Sequence, residues 1–315
     1  MCWLDVAKGI GIILVVIGHS MFPKHLIIDG FHMALFFILS GITFSTKDTF
    51  INFTRKKFIR ILLPCMFWAL VWIVTGIPNI PIWFLYTIFF GLVLLFPVIK
   101  NLPLLGSATI VLSINLLLCG EYSILPLVDQ QIARIIIGST FVYVGYLIKC
   151  LIIKFSGCLK RLFCNIWQLH WNRLTILILA VITTVLYLVM VLGGEKLGYY
   201  TELSFGQMTL FKINWGLMWL ITLSGTFACV LFAILLENNK ILQWFGKNSL
   251  VIMCVHFPLA ERLNHIISTL PHFDNTIYKL VYGFSEYFIL FAFCTIMVFL
   301  CNRFLPTLTG GIKRK

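Results

Sequence analysis

Ten apolar runs, most of them close to the length that crosses a bilayer, divide this chain of 315 residues. They lie near residues 3–20, 31–46, 61–77, 82–99, 105–120, 132–152, 174–193, 214–236, 249–268 and 284–303. A helix needs about 20 predominantly apolar residues to span hydrocarbon. In lipid every backbone polar group must be satisfied internally, which favours helices. With 60% hydrophobic residues, 11% charged residues and a mean hydropathy of +1.00, the chain carries more apolar surface than a soluble domain can hide. The expectation is an all-α polytopic membrane protein: about ten transmembrane helices in one bundle, a single integral-membrane domain over 1–315. The weakest runs are 105–120, which is short, and the break between the third and fourth at Gly76 to Pro81.

A net charge of +13 suggests nucleic acid, but the placement of the charge argues against it. Of the 24 Lys and Arg residues, 17 fall on one set of alternate loops and six on the other, with Lys8 inside the first run. The positive-inside rule then places both termini in the cytoplasm and makes the number of spans even. Acidic residues such as Asp29, Asp129 and Glu286 fall on the opposite side. The expected location is the cell membrane as a multi-pass protein, of bacterial inner-membrane type, with membrane lipids but no nucleic acid as partners. The first run lacks a basic n-region and a small-residue cleavage site, so no cleavable signal peptide is expected. The longest polar stretches, 154–173 and 194–212, suit loops with short interfacial helices, which puts any chemistry in the membrane body. The ten cysteines have no ligand spacing and read as buried thiols; no metal site is expected. No internal repeat suggests a two-fold transporter.

Charged and titratable side chains inside apolar runs are costly and face a protein interior or a wet cavity. In the first run these are Asp5, Lys8 and His19. Lys8 and His19 are eleven residues apart, three helical turns, so they share a face with a rise of roughly 16 Å between them. Asp5 and Lys8, three apart, could pair. One reading is a snorkelling lysine neutralised by Asp5, with an interfacial histidine. The other is a candidate catalytic set of His19, Lys8 and Asp5, with His19 as general base above a cavity floored by Lys8. His32 opens the second run at the depth of His19, and Ser40-Gly41 in the same run allows close helix approach. The loop from Arg55 to Pro64 holds the densest basic cluster, suited to lipid headgroups or to a phosphorylated cytoplasmic donor. Trp83 is an interfacial anchor or a platform for a sugar ring. Asn248 is a credible N-cap for the ninth run. His256 lies in the outer half of that run, beside Pro258. His25 to Gly30 matches H-x-x-x-D-G but sits in a short outer loop. Serine-hydrolase, P-loop and zincin motifs do not occur.

At these residues the chain resembles the membrane acyltransferase-3 family, particularly its fucose 4-O-acetylase-like branch. The K/R-x10-H signature stands as Lys8 to His19. Phe31-His-Met with Phe-Phe-Ile-Leu-Ser40-Gly resembles the second helix. Arg55 to Pro64 resembles the basic stretch, with Lys57 in place of an arginine. Trp83-Phe-Leu and Gly246-Lys-Asn-Ser with His256-Phe-Pro complete the order; residues 100–240 carry little signature. The resemblance implies transfer of an acyl group, usually acetyl, from cytoplasmic acyl-CoA to a hydroxyl of an envelope glycan or lipid-linked saccharide. Acetyl-CoA would be a co-substrate, with no bound cofactor. Arg55, Lys57 and Arg60 would bind the donor; His32, Trp83 and His256 would shape the acceptor end. His19 would act as base or carry the acyl group transiently. A glycan or solute transporter and a non-catalytic binding module on the same fold are the competing readings. Whether copies of the chain assemble stays open.

Overall fold

Runs of Leu, Ile, Val and Phe this long fold as helices in lipid because a helix bonds its backbone within the segment. The computed structural model describes residues 2–20, 26–74, 76, 83–119, 130–167, 171–196, 215–270 and 276–309. His25 of the H-x-x-x-D-G match, most of the Gly76–Pro81 break, residues 197–212 of the second polar stretch and the cations at 313–315 lie outside the described residues.

Each apolar run is a helix: α1 Cys2–Gly18, α2 His32–Ile42, α3 Phe50–Val74, α4 Trp83–Asn101, α5 Leu104–Cys119, α6 Gln130–Trp167, α7 Trp171–Lys196, α8 Trp215–Leu235, α10 Ser249–Ser268 and α11 Thr276–Phe304. The short helix α9, Lys240–Lys247, precedes α10. Seven of these helices are long and apolar enough to cross a membrane, while α1, α2 and α5 have 17, 11 and 16 residues. No strand occurs among the described residues. The chain is thus an all-α polytopic membrane protein.

Contacts between helix ends show strict alternation. At one end Lys100 reaches the Asp48 carbonyl, Lys149 the Phe44 carbonyl and Asn302 the Asn248 side chain. At the other, Asn264 reaches the His19 carbonyl, Tyr187 that of Ile27 and Thr222 that of Gly30. Cys2 and Thr309 both belong to the first of these ends. That end carries the cation-rich loops and is called the inner end below.

Helices α1 and α2 form the centre; every residue from Phe31 to Leu39 is buried. Two backbone contacts fix their neighbours. A Cβ on Gly41 would overlap the Val142 carbonyl oxygen and one on Gly145 that of Ile38, so α2 meets α6 backbone to backbone. A Cβ on Gly9 would overlap the Leu242 carbonyl and one on Gly246 that of Asp5, which seats α9 against the inner half of α1. Apolar side chains on α3, α7 and α11 point outward, among them Leu70, Ile73, Val189 and Phe288. A hydrocarbon surround accepts these at no cost.

Three expectations are corrected. Arg55 to Pro64 is not a loop: α3 starts at Phe50 and runs through it, capped by the Thr49 hydroxyl, which accepts from the Asn52 N–H. Residues 154–167 continue α6 as helix. Asn248 forms no side-chain cap; its amide donates back to the Trp244 carbonyl at 2.8 Å and its Oδ1 accepts from Asn302 at 3.1 Å. The residue that caps by side chain is Asn239, at the start of α9.

Candidate active site

Helix α1 carries functional groups to two depths. Near the inner end Lys8 lines a cavity of about 210 Å³ bounded also by α2, α3, α4 and α10. Its polar lining is Lys8, Ser40, Arg60 and Ser249; Phe36, Phe84 and Met253 supply apolar wall. Arg60 sits in a five-residue π turn, Phe58–Leu62. The proline four residues on explains that turn. Pro64 has no N–H for the Arg60 carbonyl, and its ring would crowd that carbonyl in a regular helix, so the backbone widens there.

Lys57 is half-buried, with its ammonium 5.4 Å from the Phe53 ring centroid. The charges of Arg60 and Lys8 are near enough to repel it. None of the three is ion-paired among the described residues. A cavity edged by cations without acids suits phosphate. Arg55 is exposed and outside the lining. Asp5 forms no ion pair with Lys8 and does not line the cavity; its backbone carbonyl abuts Gly246.

At the outer end α1 stops at Gly18, and His19 occupies the turn that follows. In that turn the Ser20 N–H and hydroxyl both donate to the Ile17 carbonyl, at 3.2 and 2.6 Å, and the Asn264 amide donates to the His19 carbonyl at 2.9 Å. The His19 ring lies 5.3 Å from that of His256 and meets Phe257 edge-on at 5.0 Å. His256 is 1% exposed. Its Nδ1–H donates to the Ile252 carbonyl at 2.8 Å, which leaves Nε2 as a lone pair in the neutral ring. That Nε2 is buried with no hydrogen-bond partner. His32 repeats the device, Nδ1–H to the Ile28 carbonyl at 2.7 Å, with the Asp29 carboxylate 3.9 Å away. His32 and His256 are near enough to interact electrostatically. Pro258 also leaves a carbonyl unbonded one turn back, within a helix that stays α: that of Cys254 accepts from Trp72 Nε1 at 3.1 Å.

The structure therefore brings His19, His32 and His256 together, and separately brings Lys8 to Arg60 and Lys57. Trp83 lies under the Arg134 guanidinium at 5.1 Å. Sequence reasoning missed Asn264, and took Asp29 only as part of a loop motif. It also counted Arg134 and Glu286 as loop charges. Glu286 is fully buried on α11, next to Tyr287, which is within reach of Ser20. An acid or amide inside an apolar run was the available signal for Glu286 and Asn264.

A family model described as an acyltransferase domain matches residues 2–303. The chain belongs to this membrane acyltransferase family, acyltransferase-3. Among curated proteins and among solved structures, none matches it.

Proposed function

We propose that the protein moves an acyl group, acetyl in the first instance, from cytoplasmic acyl-CoA to a hydroxyl of an envelope glycan or lipid-linked saccharide. The fucose 4-O-acetylase-like resemblance supports a sugar hydroxyl as acceptor. The observation that carries the reading is the two-ended use of α1: Lys8 with Arg60 in a cavity at one end, His19 against His256 about 16 Å away at the other. Arg60, Lys57 and Lys8 hold the donor's phosphates and the start of its pantetheine arm, with Arg55 at the rim. The arm carries the thioester outward along the cavity toward His19. His19 takes the proton of the acceptor hydroxyl as its oxygen attacks the thioester carbonyl carbon. The tetrahedral intermediate then collapses, the C–S bond breaks, and the leaving CoA thiolate takes the proton from His19. His256, with its Nε2 buried and unbonded, orients the His19 ring, while His32 and Trp83 border the acceptor. Asp5 has no step in this scheme.

The test is protein in nanodiscs with radiolabelled acetyl-CoA and an envelope-glycan extract. Label should pass to the glycan with wild type and be lost with His19→Ala. No transfer and no acetyl-CoA binding in either protein would favour transport or a non-catalytic module.

A further inference from the structure

We propose that Arg134 and Trp83 form an oxyanion-binding subsite, so that the acceptor carries a carboxylate or phosphate near the hydroxyl that is acylated. This rests on the acyl-transfer reading above. Arg134 lies near the outer end of α6 and is only 7% exposed. A guanidinium stays charged under all ordinary conditions. Burying one without an acid is unfavourable, yet Arg134 is in no ion pair among the described residues. Its compensation is partial. The guanidinium lies 5.1 Å over the Trp83 ring, and Nη1 donates to the Gln131 side-chain oxygen at 3.2 Å, an acceptor shared with the Tyr86 hydroxyl. Nε is buried without a partner. Thr87, one turn on from Trp83 along α4, has a buried hydroxyl without a partner as well. A cation, an aromatic face and unused donors on facing helices are the components of a site for an anionic sugar.

Depth links this cluster to the histidines. Gly138 packs on Phe37, and Gly145 on Ile38 and Gly41, so α2 and α6 run side by side in the same direction. Arg134 is four residues before Gly138, and His32 is five before Phe37. The backbone contact of Gly145 sets Arg134 two to five residues farther out than His32, so the two lie within about one helical turn of each other. A ligand held by Arg134 sits at the height of His19 and His256 rather than at the donor's phosphates.

Equilibrium binding in zwitterionic nanodiscs tests this without turnover, using fluorescent trigalacturonate, a glycerol-phosphate oligomer and neutral maltotriose. Wild type should bind at least one of the charged oligomers roughly tenfold or more tightly than maltotriose. Arg134→Gln should remove that preference and leave maltotriose and acetyl-CoA binding unchanged. Arg134→Lys, which keeps the charge but loses the fork, should retain part of it. Melting temperatures of both variants check folding. Equal binding of charged and neutral oligomers by wild type, or a preference that survives Arg134→Gln, overturns the proposal. So does an Arg134-dependent stabilisation by phosphatidylglycerol nanodiscs with no preference for charged oligomers, because the anion is then a lipid headgroup. Loss of acetyl-CoA binding or transfer in wild type would instead count against acyl transfer itself.

Discussion

The chemistry turns on how side-chain nitrogens are used. In His32 and His256 the Nδ1–H is spent on a carbonyl one turn back, so each offers the other nitrogen as an acceptor. In His19 the backbone carbonyl is held as well, by the Asn264 amide. His19→Ala should lower kcat by about 10²–10⁴, the usual contribution of a general base, with acetyl-CoA binding intact. Isothermal titration alongside the transfer assay separates the two effects. Arg60→Gln should act at the other end, raising KM for acetyl-CoA by roughly tenfold with a smaller change in kcat, as expected for a lost charge-assisted contact. A variant whose loss appears wholly in kcat would place Arg60 outside the donor site. Asn264→Leu should reduce kcat while leaving KM for acetyl-CoA near the wild-type value, since it frees the turn and not the cavity.

Among the elements, α9 has the firmest mechanical role. Its glycine and that of α1 interlock so closely that any side chain at Gly246 must push the two backbones apart. Gly246→Val should cost on the order of 1–3 kcal/mol and lower the melting temperature, with expression reduced in step. Near-native stability in that variant would mean the contact yields easily. The apolar runs were legible because hydrocarbon selects for uninterrupted hydrophobic length, which a sequence displays directly. Lys8 and His19 stood out for the same reason in reverse: polar groups are conspicuous against such runs. Helix α9 was not, since Lys240–Lys247 is mixed in character and owes its place to a backbone contact with α1. The early start of α3 was hidden because basic residues read as loop, although they extend a helix readily outside the hydrocarbon. Arg134 was hidden because positive charge at a span end ordinarily reports topology alone.

For the whole molecule, the alternation of helix-end contacts makes a sidedness prediction. Cys2 is exposed at the inner end and Ser268 is exposed at the outer end of α10. In a background stripped of other accessible thiols, a membrane-impermeant maleimide should label Ser268→Cys in intact cells and Cys2 only after permeabilisation. Labelling of both from outside would remove the cytoplasmic placement of the donor site. The bonds that tie His32 and His256 to Ile28 and Ile252 also set how damage spreads. Each closes over four residues, inside α10 for His256 and across the turn that leads into α2 for His32, so ring orientation survives as long as that local segment does. A lesion elsewhere in the bundle would shift the histidines as intact pieces and spoil their mutual alignment first. Second-site suppressors of such lesions should accordingly map to helix–helix seams, such as Gly41 against Gly145, rather than to the residues beside each ring.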